Sequence, residues 1–360
     1  MAIGKLVCEL SPSGNNPRNS EGAFFSPDGK RVMFVYSRYT GSDAEDDAEA
    51  EIAGIISYDH GESWSEPVTI DRPERYGALN LMSVSMVKVD QQTVKMFFIV
   101  RYGWHDSRLH MRASVDGGGT WSDAVCCIPA PGYYVVNNDR VIRLDSGRLI
   151  IPSSYHKMKG EDTKNWDSFD SRGTVFFFMS DDDGKTWFQS DTSLSLSNRH
   201  SKSGLQEPGI IPLENGVLWA WFRTDIGRQY ESFSFDSGRS WTAPSPSFFT
   251  GPCSPLSVKR IPHLNLLAAV WNPVPNYNGR NIIPGTAGRT PLVISLSSDD
   301  GKTWAAPRAV EDDETRGFCY TAIHPLDEYL LISYCAGGPE DRFCLSRTRV
   351  RKILYNDIIN

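Results

Sequence analysis

Apolar stretches of seven to nine residues, each opened by a polar turn, recur six times along this chain. They are KRVMFVYSR after Asp28-Gly29, TVKMFFIVR after Gln91-Gln92, RLIIPSSYH after Ser146-Gly147, VLWAWFRTD after Asn215-Gly216, LLAAVWNP after His263-Leu264-Asn265 and YLLISYC after Asp327-Glu328. Aromatic and β-branched residues in partial alternation, bounded by turn formers, predict strands. A second set of strand-like segments, GIISYD, LHMRASVD, TVFFFMSDD, YESFSFD and LVISLSSDD, runs each time into one pattern, S-x-D-x-G-x-[ST]-W. Its copies are Ser57–Trp64, Ser114–Trp121, Ser180–Trp187, Ser234–Trp241 and Ser297–Trp304. The residue types are those of a β-turn: Asp and Ser bond backbone groups, Gly supplies positive φ, and the Trp is expected to pack back on its own unit.

The copies are spaced by 57, 66, 54 and 63 residues, a mean of 60, which divides the 360-residue chain into six units. A repeat of this period means a modular fold. Only the sixth unit lacks the pattern, because the chain ends at LSRTRVRKILYNDIIN, and the N-terminal GKLVCEL is the spare strand available to complete it. Pairing the first and last segments closes a ring and leaves no open sheet edge. The expected fold is therefore all-β: a six-bladed β-propeller of four-stranded antiparallel blades, closed by the terminal segments, as one domain over 1–360.

Composition narrows the function classes. The 30 glycines, 22 prolines and 11% aromatic residues suit many strands joined by tight turns. A net charge of −7 offers no electrostatic footprint for nucleic acid or for an anionic membrane, so neither is expected as a partner. The seven cysteines are odd in number, without framework spacing, and read as free thiols. The opening MAIGKLVCELSPSG lacks the apolar core of a signal peptide and no run approaches 18 apolar residues, which predicts a cytoplasmic protein, or a secreted one if the chain has been shortened at its start. No G-x-x-x-x-G-K-[ST], H-E-x-x-H or G-x-S-x-G occurs, the seven histidines are scattered, and the D-x-D-x-D-G calcium loop is absent, so no metal or cofactor is expected.

The repeated turn resembles the Asp box of the sialidase superfamily, and the resemblance covers nearly the whole chain. In that family three arginines from different blades clamp a substrate carboxylate, a Tyr–Glu pair attacks the anomeric carbon, and an Asp acts as acid and base. By local context the resemblance implies Arg18 for the first arginine, twenty residues before Arg38, although the Ile-Pro usual after it is replaced by Asn19-Ser20. Glu207 in QEPGIIPLENGVLWAWFR, sixteen residues before Arg223, resembles the family glutamate and second arginine. Arg289 leads into an Asp-box strand as the third arginine does, and Tyr320 in GFCYTAIHP resembles the nucleophile, with Thr321 where a proline is usual. The acid/base aspartate belongs in the loop SRYTGSDAEDDAEAEIAG, which offers Asp43, Asp46 and Asp47; spacing to the box favours Asp43, and Asp47 stays beside it as a candidate. Arg38, Asn138, Asp139 and Tyr155 are further pocket candidates, with Arg101-Tyr102 and His156 at inner strand ends and Trp104, Trp166 and Tyr277 as sugar-stacking rings.

These residue types answer the needs of an α-keto-acid sugar. Guanidinium groups match a carboxylate bidentately and stay charged. A carboxylate nucleophile would be repelled by the substrate's own carboxylate, whereas a phenol activated by a glutamate is not. The resemblance thus implies an exo-acting retaining glycosidase whose partners are sialylated or other keto-acid-containing glycans. A propeller that binds acidic glycans without cleaving them, and a hydrolase or lyase for another acidic sugar, stand as alternatives. The Asp-box aspartates, spread around a ring, are expected to be structural.

Overall fold

The computed structural model describes residues 2–163, 165–277 and 280–359. All six turn-led apolar segments are strands: Val32–Tyr39, Val94–Gly103, Leu149–His156, Leu218–Arg223, Leu266–Trp271 and Tyr329–Cys335. The box-preceding segments are strands too, at Ala50–Ser57, Asp106–Ser114, Thr174–Ser180, Arg228–Ser234 and Leu292–Ser297, each antiparallel to the strand before it. Helix among the described residues amounts to single turns such as Pro73–Tyr76 and Asn356–Ile359, so the fold is all-β, and no helix is long and apolar enough to cross a membrane.

The hydrogen-bonded sheets differ from six separate four-stranded blades. Three sheets have four strands, and a fourth has thirteen. The large sheet joins three successive antiparallel groups through two short parallel contacts, Ala50 with Asn80 and Ser107 with Tyr133. One ladder step at each crossing is enough to merge neighbouring groups. The third group also opens on two short strands, Tyr133–Val135 and Ile142–Arg143, because Asn137-Asn138-Asp139-Arg140 interrupts the ladder. Lys5–Leu10 pairs with Thr348–Leu354, so the spare N-terminal strand does complete the last group.

The Asp boxes are self-contained turns. In the first, Ser57 Oγ donates to Asp59 Oδ1 (2.8 Å), the Gly61 and Ser63 amides donate to Ser57 Oγ and Asp59 Oδ1 (2.9 Å each), and Trp64 Nε1 donates to the Gly61 carbonyl (3.2 Å). Asp116, Asp182, Asp236 and Asp299 repeat the serine and amide bonds. Two consecutive residues turn left-handed, as at Asp183 (φ 63°) and Gly184 (φ 90°), and at the second a Cβ would also come within 2.7 Å of the Met111 side chain, a combination that glycine meets. These donors hold the box carboxylates below their ordinary pKa, Asp182 and Asp299 at about 2. Their lone pairs are spent within the turn.

Three box tryptophans reach beyond their own unit. Trp187 meets Phe97, Trp241 stacks on Phe177 at 3.9 Å between centroids, and Trp304 meets Phe249, each in the preceding group. Trp64 also meets Phe24 of its own group (6.4 Å), and Trp64, Trp187, Trp241 and Trp304 each donate to the glycine carbonyl of their own turn, so the indoles close their own turn while three of them reach the neighbour. The core is accordingly laid between groups: Ile150, Phe177 and Met179 of the third lie against Ile210, Leu218, Phe222 and Trp241 of the fourth. Burial of each such side chain contributes about 1.5–3 kcal/mol.

Candidate active site

The first strands of four groups carry the same irregularity. The register slips at Ser20/Ala23, Met82/Ser85, Gln206/Gly209 and Cys319/Ala322. Inside each slip one non-glycine residue is left-handed: Glu21 (φ 55°), Ser83 (φ 59°), Glu207 (φ 45°) and Tyr320 (φ 55°). A β-bulge re-aims the side chain it carries, and backbone strain of this kind concentrates at functional sites. All four side chains line one cavity of about 270 Å³. Gly22 follows the first of them, where a Cβ would come within 2.4 Å of the Phe34 ring, so the bulge there demands glycine.

The cavity brings together Glu207, Arg223, Arg289 and Tyr320. Tyr320 Oη donates to Glu207 Oε1 at 2.9 Å, and Arg223 Nη1 reaches the same oxygen at 2.5 Å and the phenol at 3.4 Å. Glu207 Oε2 is buried and has no hydrogen-bond partner among the described residues. Arg289 lies with its guanidinium carbon 5.6 Å from the Tyr320 ring centroid. Both arginines are steadied by sulfur: Arg223 Nε donates to Cys253 Sγ (3.2 Å) and Arg289 Nη1 to Cys319 Sγ (3.0 Å). Burial and then the charge of Glu207 push the Tyr320 phenol well above its ordinary pKa, against the pull of the two arginines. The phenol is protonated at rest.

Arg18 is placed differently from the expectation. It is 1% exposed and does not line the cavity. Its Nε donates to Ser20 Oγ (2.9 Å), Nη1 to Asp46 Oδ1 (2.6 Å) and the Ala44 carbonyl (3.2 Å), and Nη2 to Glu21 Oε2 (3.3 Å). It ties the rim together from beneath. The third arginine on the cavity wall is Arg101, 5.4 Å from the Trp104 ring and 5.2 Å from that of Tyr133.

Of the three loop aspartates, only Asp46 lines the cavity. All three are exposed, Asp46 by half; Asp43, favoured by spacing, pairs with Arg342 (3.1 Å) and, like Asp47, lies off the wall. The reason is anchoring: Asn80 Nδ2 donates to the carbonyls of Asp46 (2.8 Å) and Ala48 (2.9 Å), and Arg101 Nη1 donates to the Asp46 carbonyl. Those donors come from the neighbouring group and turn residue 46 inward. Burial would raise the Asp46 pKa, but Arg18 and Arg101 outweigh it and hold the carboxyl below its usual range.

The other candidates separate. Arg38 faces away, bound to Glu51 and Thr69. Asn138 is buried below the cavity, donating to the Gly22 and Tyr320 carbonyls (2.8 and 3.1 Å). Asp139 lines a different cavity and pairs with Lys259 (2.7 Å). Tyr155 packs beside Tyr134 outside the lining, and Tyr277 is exposed elsewhere. Trp104, His156 and Trp166 do line the cavity, His156 with its pKa driven to about 4 by burial.

Glu21 was not singled out in the sequence. It is 5% exposed, and burial raises its pKa to about 7, with Arg18 opposing and Asp46 and Glu207 adding to the shift. Its signal was a lone glutamate before glycine in an otherwise uncharged strand, as Glu207 lies before Pro208-Gly209. The cavity wall carries three guanidinium groups (Arg101, Arg223, Arg289) and three carboxyls (Glu21, Asp46, Glu207); with Glu21 holding its proton up to about 7 and Arg18 bonded to Asp46 from off the wall, the balance favours an anion. Among the described residues no cluster of His, Cys, Asp or Glu is arranged to hold a metal.

Residues 31–331 match the family model described as a BNR repeat-like domain. No curated protein matches the chain. Among solved structures, the Hadza microbial sialidase Hz136 superposes with a TM-score of 0.73 at 16% identity, over 96% of this chain and 67% of its own. A leech intramolecular trans-sialidase, solved with 2,7-anhydro-Neu5Ac, gives 0.72 at 14% identity over 99% and 71%. A protein of unknown function from Dyadobacter fermentans gives 0.71 at 14% over 98% and 100%. At these identities the likeness is one of fold, and that fold is sialidase-like.

Proposed function

Since this chain belongs to the BNR repeat-like family, we propose that it is an exo-acting retaining glycoside hydrolase of sialidase type, releasing sialic acid or a related α-keto-acid sugar. We read the six antiparallel groups as the blades of one propeller domain over 1–360, with the bulged strand ends facing its axis. The observation that carries the proposal is the 2.9 Å bond from Tyr320 Oη to Glu207 Oε1 beside Arg223, in a cavity that Arg101 and Arg289 also line.

In this reading Arg223 and Arg289 hold the substrate carboxylate, and Arg101 supplies positive charge from the opposite wall. Tyr320 Oη bonds to the anomeric carbon as its proton passes to Glu207, while Asp46 gives a proton to the departing glycosidic oxygen. Water then attacks the same carbon and yields its proton to Asp46, and the phenolate leaves, taking back the proton from Glu207. Two displacements give net retention. Asp46 is depressed by Arg18 and Arg101 in the empty site; a bound carboxylate adds negative charge and excludes water, which raises its pKa toward the value a general acid needs.

A panel of fluorogenic α-keto-acid glycosides tests the proposal. Turnover of at least one member with retention at the anomeric carbon is the expected result. Saturable binding without turnover of any member would make the protein a glycan-binding relative instead.

A further inference from the structure

We propose that a second cavity, at the far ends of the same bulged strands, is a binding site for an amphipathic monoanion: a carboxylate carried on an aryl or alkyl body. The strand Asn19–Phe25 shows the placement. Glu21 faces the catalytic cavity and Phe24 the second one, three residues or about 10 Å further along. Asn80–Lys88, Gln206–Pro212 and Cys319–Pro325 run between the two cavities in the same way, from Ser83 to Met86, Glu207 to Ile210 and Tyr320 to Ile323. Asn138, bonded to the carbonyls of Gly22 and Tyr320, lies across the middle.

The second cavity holds about 360 Å³, within the range of small-molecule pockets. Its walls are apolar, from Phe24, Met86, Val141, Ile210, Val258 and Ile323. Its charge is one-sided: Lys88, Arg140, Arg143, Lys259 and Arg260 line it, Arg260 paired with Asp300 outside the lining, against the single lining acid Asp139. That acid is already engaged by Lys259 Nζ (2.7 Å) and the Ile323 amide (3.1 Å).

Arg140 is the distinctive member. It is 3% exposed; its guanidinium donates to Ser257 Oγ (3.2 Å) and the Leu256 carbonyl (2.7 Å), lies 5.7 Å from the Trp221 ring centroid and, among the described residues, leaves Nε without a hydrogen-bond partner. Among the described residues no carboxylate lies within ion-pairing distance of it. Burial brings its pKa down to about 10, so it stays charged at neutral pH. A buried cation without a counter-ion is costly, and an anion seated in the adjoining cavity offsets that cost through the low-dielectric wall. His324, also on this wall, has a buried Nε2 with no hydrogen-bond partner among the described residues. Apolar walls under a basic rim fit a ligand with both properties.

The test is calorimetric titration of the full chain with 4-phenylbutyrate, and with 4-phenylbutan-1-ol as its uncharged counterpart. One site per chain is expected, about tenfold weaker for the alcohol and in Val258→Phe, which fills the cavity, and Arg143→Glu, which reverses a rim charge. Binding should be unchanged in Arg289→Ala. Should Val258→Phe fail to fold, Arg143→Glu at the exposed rim decides. The proposal is overturned by the absence of saturable binding at millimolar acid, by equal binding in the rim variant, or by loss in Arg289→Ala alone, which would seat the probe in the catalytic cavity. None of these readings depends on glycoside turnover.

Discussion

Replacing Tyr320 with Phe removes one oxygen and leaves the ring in place. In the folded protein that oxygen makes one bond of 2.9 Å to Glu207 and lies 3.4 Å from Arg223 Nη1. Glu207 Oε1 keeps Arg223 at 2.5 Å, so no charge is orphaned by the change. The structural cost is that of one hydrogen bond to a charged acceptor, about 1.5–3 kcal/mol at most, and a shift of a few degrees in Tm for a chain of this size. The catalytic cost is of another order. With the nucleophile gone the double displacement has no first step, and residual rate comes only from binding and electrostatic stabilisation. Loss of a nucleophile from a working constellation costs about 10³-fold or more in kcat, some 4 kcal/mol or above. The assay is steady-state turnover of the best fluorogenic α-keto-acid glycoside, beside calorimetric binding of an unsaturated keto-acid sugar analogue. Rate should collapse while affinity changes by less than about fivefold, because Arg223 and Arg289 are untouched. A kcat within tenfold of wild type would refute the assignment of Tyr320 as nucleophile.

Two further outcomes test the acid/base aspartate and the buried Glu21. Asp46→Asn should lower kcat by about 10²-fold or more, whereas Asp43→Asn and Asp47→Asn should stay within about twofold, measured on the same substrate; equal losses at all three would remove Asp46 from the mechanism. Glu21 governs a pH effect. Its carboxyl holds a proton up to about 7 when folded against 4.5 as the ordinary value, so the folded state binds more protons between those pH values. Stability therefore falls as pH rises across that window, by roughly 3 kcal/mol in all. Urea unfolding of Glu21→Gln from pH 4 to 8 should show a flatter profile by that amount, and parallel profiles would contradict the burial argument.

The repeated turns were fully legible because their chemistry is local. Ser57, Asp59, Gly61 and Ser63 bond within seven residues of one another, so the pattern states the structure wherever it occurs. The strands were legible for a similar reason, as runs of apolar residues bounded by turn formers, and the pairing of Lys5–Leu10 with Thr348–Leu354 followed from counting units. That the box tryptophans also reach a neighbouring group was not legible. Which neighbour an indole meets depends on how the groups are juxtaposed, and Trp241 found Phe177 of the group before its own.

The site divides along the same line. By itself the sequence determined which residue types were on offer, and the contexts of Glu207, Arg223, Arg289 and Tyr320 named the four that meet in one cavity. The tertiary structure alone decided which way side chains turn. Arg18 has the sequence context of a clamp residue but is drawn beneath the rim by Glu21 and Asp46, and Arg101 stands on the wall instead. Asp46 rather than Asp43 faces inward because Asn80 and Arg101, from another group, hold its carbonyl. Glu21, Ser83, Glu207 and Tyr320 are aimed by left-handed bulges that no local propensity favours in a non-glycine residue. Such a conformation persists only when partners distant in sequence over-determine it, and those partners exist only in the assembled fold.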